Sequence, residues 1–272
     1  MRWIDLGTQD APLLLFGGPY SNLYALDALL EAGARAGIPT ARMICTGDVV
    51  AYGAAPGETV ARIRAAGCTV IAGNVERQLG AGEGDCGCGF SPGSTCDRLS
   101  AGWFAHADAA VSAEDRAWMA DLPGMAVFRH QGARYAVIHG GARDVSRFIW
   151  ECDAEEVFAE ELAAIAEMVG PVDGVIAGHA GLPFVRQVGG ATWINAGVIG
   201  MPPHDGAPAT RFAVLEHGRA RIERLDYDHA GARAAMVAAG LTQGYDRALE
   251  TGYWPSEDVL PAVLRVATSD RG

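Results

Sequence analysis

Four short segments carry side chains that could share a metal ion: Gly47-Asp48, Gly73-Asn74, His139-Gly140 and Gly178-His179. Each follows an apolar, strand-like run and places an oxygen or nitrogen ligand where that run stops. Asp, Asn and His donors suit a divalent transition metal, Mn, Fe or Zn. Each residue also has a plain structural role open to it. Asp48 can cap a helix after a strand, and His139 and His179 can be satisfied buried histidines. Their shared position argues for a set, because the carboxyl ends of successive strands in an α/β sheet converge on one crevice.

The elements that would position them are legible in the hydrophobic pattern. Leu13–Phe16 is a buried strand, and residues 22–36 put Leu23, Leu26, Leu29 and Leu30 on one helical face ended by Gly37. Met43–Cys45 is a second strand, 58–66 a helix closed by Gly67, and 69–72 a third strand. This βαβαβ opening predicts an α/β fold. Residues 80–97, rich in Gly and holding Cys86, Cys88 and Cys96, read as a loop. Helices are expected at 97–107, 113–120 and 154–169. Strands are expected at 135–138, 174–177 and 192–194, with an antiparallel pair, 212–215 and 220–224, around His217-Gly218. From His229 the chain reads as an Ala-rich helix and then a proline-containing one near 256–267. With no repeat or low-complexity linker, the expectation is a single domain over 1–272, with the Cys/Gly-rich loop at 80–97 and a helical tail at 229–272.

Composition narrows the partners. The chain has 272 residues, is half hydrophobic and carries a net charge of −12. That charge disfavours nonspecific binding to nucleic acid or anionic membrane. An anionic substrate would need a locally positive site. The first residues, MRWIDLGTQDAPLLLFGG, lack the pattern of a signal peptide, and no stretch reaches membrane-spanning length. Cytoplasmic residence is therefore expected. Six cysteines in a chain of this size do not suggest a disulfide scaffold.

The stretch GDVVAYGAAPGETVARIRAAGCTVIAGNVE resembles the block "GD-x-V-x-YG-x-x-P … GN-H-D/E" of bacterial calcineurin-like metallophosphoesterases. VIHGGARD is similar to that family's "HG" block, IAGHAGLPF to "GHTH-x-PF", and INAGVIGMPPHDG to "NPGSVGQPRDG". The ordered blocks are specific where one alone would be weak. The resemblance implies a sandwich of two mixed β-sheets flanked by helices, with one or two metal ions between them. It implies that Asp48, Asn74, His139 and His179 ligate the second metal. The first-metal ligands of the family fall here on Gly18, Tyr20, Asp48 and Gly181, so only the bridging Asp48 remains; the catalytic His of the GNH block is Val75. A two-ion clamp needs ions about 3.5–4 Å apart, which these residues do not supply in the usual way.

The remaining candidates are less specific. Gly17-Gly18-Pro19-Tyr20-Ser21-Asn22 could be a turn and helix cap, or an anion cradle in which Gly18 and Asn22 help bind a phosphate. Tyr20 would then stand in for a metal-ligand histidine, as a hydrogen-bond donor or a phenolate. Cys86, Cys88 and Cys96 could be reduced and structural, could bind a separate metal with Asp97 or His106, or could cover the altered first-metal position and supply thiolates. Arg143 or His204 could contact a substrate phosphate, and Asn195 could position a ligand or shape a turn. Glu76 and His204 are candidates for proton transfer. Two functions follow from the resemblance. One is an atypical metal-dependent phosphoesterase that hydrolyses a small phosphomonoester or phosphodiester with metal-activated water. The other is a catalytically degenerate relative that binds a metal, a phosphorylated ligand or a protein partner without turnover.

Overall fold

The computed structural model describes residues 2–266. In chain order, β1 (Trp3–Thr8) and β2 (Leu13–Phe16) precede α1 (Leu23–Arg35), β3 (Met43–Cys45), α2 (Pro56–Ala66) and β4 (Thr69–Val70). Then come α3 (Asn74–Ala81), α4 (Thr95–Ala110), α5 (Ala113–Ala120), the hairpin β5 (Met125–His130) and β6 (Ala133–Val137), and α6 (Glu155–Val169). The chain continues through β7 (Gly174–Ala177), β8 (Phe184–Val188), β9 (Ala191–Asn195), β10 (Thr210–Glu216) and β11 (Arg219–Leu225) to α7 (His229–Ala238) and α8 (Tyr245–Thr251).

The strands form two mixed sheets. One has six strands in the order β1-β5-β6-β7-β9-β8, the other five in the order β11-β10-β2-β3-β4. In the second sheet β2, β3 and β4 run parallel while β10 and β11 are antiparallel. The alternation along β2 explains the layering. Leu13 and Leu15 face the other sheet and pack with Ile44, Phe128, Val137 and Ile176. Leu14 and Phe16 face outward into a second core with Leu26 and Leu29 of α1 and Val60 and Ile63 of α2. On the outer face of the six-stranded sheet, Val127, Ile138, Val175 and Trp193 meet Phe158 and Ile165 of α6. Helices therefore flank both sheets, the expected mixed α/β sandwich.

Several local expectations differ from the structure. β1, β5 and β8 are additional strands, and α3 is a helix that begins at the expected ligand Asn74. The expected proline-containing helix near 256–267 is instead mostly irregular, with a single 3₁₀ turn at Ala262–Leu264. Pro255 and Pro261 interrupt that stretch, and a proline disfavours helical conformation in the residue before it. Residues 267–272 of the expected helical tail lie outside the described residues. Among the described residues no helix is long and apolar enough to cross a membrane.

Near the strand ends the segment after β2 joins the segment after β9, where Gly17 bridges to Val198. A Cβ on Gly178 would come within 2.0 Å of Thr46 Oγ1, so this junction is glycine-dependent. Leu15, fully buried between the sheets, is the place to probe the sandwich. Leu15→Ala is expected to lower unfolding free energy by about 2–5 kcal/mol, read by chemical denaturation, while a change at the exposed Val263 is expected to leave it nearly unaltered.

Candidate metal centre

The loops after β3, β4, β6 and β7 bring Asp48, Asn74, His139 and His179 together, all four buried. His139 Nδ1 lies 2.6 Å from the Thr46 carbonyl, which can only accept, so Nδ1 carries the proton and Nε2 presents a lone pair. Around that Nε2 stand Asn74 Oδ1 at 3.0 Å, His179 Nδ1 at 3.0 Å and Asp48 Oδ2 at 3.2 Å. The Asn74 amide is oriented from behind, since its Nδ2 donates to the Cys86 carbonyl at 2.8 Å and approaches Cys88 Sγ at 3.4 Å. Four potential ligand atoms thus converge in a buried space, and when His179 carries its proton on Nε2 all four present lone pairs to one point, which a cation would satisfy. Separations of 3.0–3.2 Å are those of neighbouring ligands around one ion with bonds of about 2.0–2.2 Å. The donor set fits a divalent metal. Asp48, His139 and His179 are also the one group of three His, Cys, Asp or Glu side chains among the described residues whose ligand atoms are near enough to share an ion.

Electrostatics follow the same geometry. Burial pushes the Asp48 carboxyl up, but the adjacent His139 overrides it and holds Asp48 below the ordinary carboxylate range. Burial works against the charged form of His139, yet Asp48 raises it above the usual imidazole value. Burial, followed by repulsion from His139, drops His179 to about 3, so it stays neutral with a lone pair to offer.

Asp48 adopts a left-handed backbone, φ 57°, an uncommon state for a residue with a Cβ. Glu76 holds it there. The fully buried Glu76 carboxylate accepts from Asp48 N at 2.7 Å, Val49 N at 2.8 Å and Gly73 N at 2.9 Å. Both its oxygens are engaged by backbone donors, so Glu76 positions the Asp48 turn. Glycine is required next to it: a Cβ on Gly73 would sit 2.2 Å from Asp48 Oδ1.

The other expected site residues separate into three groups. Tyr20 does reach the pocket beside Asp48, but burial and then the Asp48 charge raise its pKa well above the phenol value, which disfavours the phenolate form. The loop around it is a turn and a cap and not an anion cradle. Tyr20 N and Ser21 N donate to the Asp48 and Val49 carbonyls, Asn22 N donates to Pro19, and Asn22 Oδ1 caps α1 at Ala25. Gly18 lies against the Tyr20 ring, where a Cβ would clash. Asn195 Oδ1 accepts from Gly197 N and shapes its turn. His204 is committed elsewhere, with Nε2 on Glu257 and Nδ1 accepting from Trp254 N. Arg143 is exposed, pairs with Glu167 and lines a different cleft.

The cysteine loop does fold over the centre, although not with free thiolates. Cys86 and Cys88 are bonded to each other, and Cys88 and Cys96 line the pocket. Burial raises the Cys96 thiol, which also contacts Ser256. Asp97 caps the Gly93 amide and His106 faces the Ala54 carbonyl, so neither completes a separate cysteine site.

A family model for the calcineurin-like phosphoesterase superfamily domain matches residues 22–219. The chain belongs to that superfamily. No curated protein matches it. Among solved structures it is similar to a metallophosphoesterase from Sphaerobacter thermophilus, at 22% identity over 90% of this chain and 100% of that one, with a TM-score of 0.68. A hypothetical protein from Pyrococcus horikoshii is similar at 15% identity over 90% of this chain and 99% of that one, with a TM-score of 0.71. At these identities the likeness supports the fold.

Sequence reasoning missed the wall that faces these donors. Tyr20, Tyr52, Phe90, Phe148, Tyr245 and Trp254 line a small cavity of about 60 Å³ next to Asp48 and His179. Tyr52 is the hub, with ring centroids 4.9 Å from Tyr20, 4.9 Å from Trp103 and 4.3 Å from Tyr245. Phe148 lies 4.4 Å from the His179 ring. A Cβ on Gly181 would be 3.4 Å from the Trp254 ring. Tyr20 and Gly181, where the resemblance implies histidine ligands, thus border an aromatic enclosure.

Two outcomes follow. Glu76→Ala leaves three buried N–H donors without an acceptor and is expected to cost roughly 3 kcal/mol or more, measured by denaturation of metal-free protein. Metal affinity, measured by competition with a chelating dye, is expected to fall as pH drops through the raised His139 value. The slope there is about tenfold per pH unit, because the ion must displace one proton from His139 while the already neutral His179 contributes none.

Proposed function

We propose that the protein is a cytoplasmic metal-dependent phosphoesterase whose Asp48, Asn74, His139 and His179 hold one divalent ion, Mn, Fe or Zn, and whose preferred substrate is a small phosphodiester with an apolar or aromatic group. The observation that carries this reading is the pairing of a convergent donor set with a pocket that has no arginine or lysine in its lining. When bound, such an ion polarises a phosphoryl oxygen and makes water a better nucleophile near neutral pH.

The chain's own groups favour a monoanion. Asp48 is the one carboxylate in the lining, and His179 is neutral. A dication held by one carboxylate ligand and neutral donors leaves at most a single net positive charge, and the buried Glu76 carboxylate behind Asp48 lowers it further. A phosphodiester balances it, whereas a phosphomonoester dianion would leave a negative charge in an apolar pocket, which is costly. The phenols of Tyr20, Tyr52 and Tyr245, all kept protonated by burial, supply neutral hydrogen-bond donors in place of cations. The rings of Tyr52, Phe148 and Trp254 offer an apolar wall at the pocket against which an ester group would pack. Neither Glu76 nor His204 is assigned a proton-transfer role, because both are saturated by other partners.

The test is turnover by metal-loaded protein of an aryl phosphodiester against the matching aryl phosphomonoester. The diester is expected to have the higher kcat/KM by roughly tenfold or more, and Asp48→Ala and His139→Ala to abolish it. The second reading, binding without turnover, is favoured by the aromatic replacement of the first-metal half at Tyr20 and Gly181–Trp254. Saturable diester binding by the metal-loaded protein with no hydrolysis of any ester would establish that reading instead.

A further inference from the structure

A second cleft, of about 610 Å³, shares no lining residue with the aromatic pocket. Its volume lies in the ordinary range for small-ligand sites. Arg2, Arg77 and Arg143 line it, and its lining holds no acidic residue. On a chain of net charge −12, three guanidinium groups around one cavity form a local exception. Two of them have weak external partners. Arg2 pairs with Asp121 and Arg143 with Glu167, in ion pairs whose side chains are all more than half exposed. Such pairs contribute little and exchange readily for another anion.

Arg77 is the distinctive member. It is half-buried on α3, and its guanidinium has no hydrogen bond or ion pair among the described residues. The other half-buried arginines, 42, 64, 116, 134, 147, 186, 211 and 233, each have a carbonyl or carboxylate partner. Asp144 is the one charged group with an appreciable influence on Arg77, and its Oδ1 accepts from Ser146 N. A half-buried guanidinium with no protein partner keeps its donors available to an anionic ligand. The rest of the wall is apolar, with Met119, Leu122 and Met168.

The geometry points to a second ligand site, separate from the metal centre, that binds a small organic phosphate through the Arg77 and Arg143 guanidiniums and packs its apolar body on Met119, Leu122 and Met168. Guanidinium forks match phosphate oxygens in two-point contacts, and the methionines adapt to a planar or aliphatic group. The site is contiguous with the centre along the chain. Arg77 lies one helical turn beyond Asn74 on α3, and Arg143 lies four residues beyond His139. It does not depend on the proposed phosphodiester activity.

The experiment is calorimetric titration of ADP into full-length, chelator-treated protein at about 0.15 M salt, where surface attraction is screened over about 8 Å. Inorganic phosphate is titrated as the probe lacking an apolar body. Saturable ADP binding, weaker phosphate binding, a tenfold or greater loss in Arg77→Met, and an unchanged affinity in Asp48→Ala are expected. Arg77→Lys should recover only part of the loss, because an ammonium cannot present the fork. If Arg77→Met fails to fold, the exposed Arg143→Gln variant is expected to weaken ADP binding several-fold. No saturable binding, binding unchanged by the arginine variants, or binding lost in Asp48→Ala would each overturn the assignment.

Discussion

A buried carboxylate that serves only backbone donors holds the centre of this molecule in place. Glu76 receives the amides of Asp48, Val49 and Gly73, and so ties the end of β3 to the start of α3. Without it, the left-handed turn at Asp48 would lack a partner for its donors, and the Asp48 side chain would not be aimed at His139. The cost of burying that carboxylate shows in its own chemistry, since burial, with the Asp48 charge next, lifts its pKa to about 7. The arrangement is stable as a closed circuit. Glu76 secures Asp48, the second Asp48 oxygen accepts from Val75 N, and Asp48 in turn sets the protonation of His139.

Around that circuit the pocket has two unlike flanks. The donors on one flank remain polar and convergent. On the other, Tyr20, Tyr52 and Trp254 occupy the space next to Gly181 and Asp48. The pairing is coherent in physical terms, because an apolar wall suits a site with little charge to balance. The cysteine loop contributes through its backbone, with the Cys86 carbonyl fixing which end of the Asn74 amide faces inward.

Strands buried on both faces were the most legible parts of the sequence. Leu13–Phe16, Met43–Cys45 and Gly174–Ala177 are unbroken apolar runs and coincide with β2, β3 and β7. β1 and β8 were hidden because they are sheet edges with exposed, polar-interrupted faces. α3 is short and polar, although Glu76 at its third position carried a capping signal that could have revealed it. The four donors were found because each follows a strand within a few residues. The commitments of Glu76 and His204 were not, since a side chain's partners depend on segments such as Glu257 that are distant in sequence. The aromatic wall had no local pattern at all: Tyr245 and Trp254 follow the last recognisable block by some forty residues or more.

That distance has a consequence of its own. The donors come from loops between residues 46 and 179, whereas much of the roof over them comes from residues 245–259. The division of labour is written into the chain order. A change within residues 245–259 can reshape the cavity while leaving the donor geometry untouched.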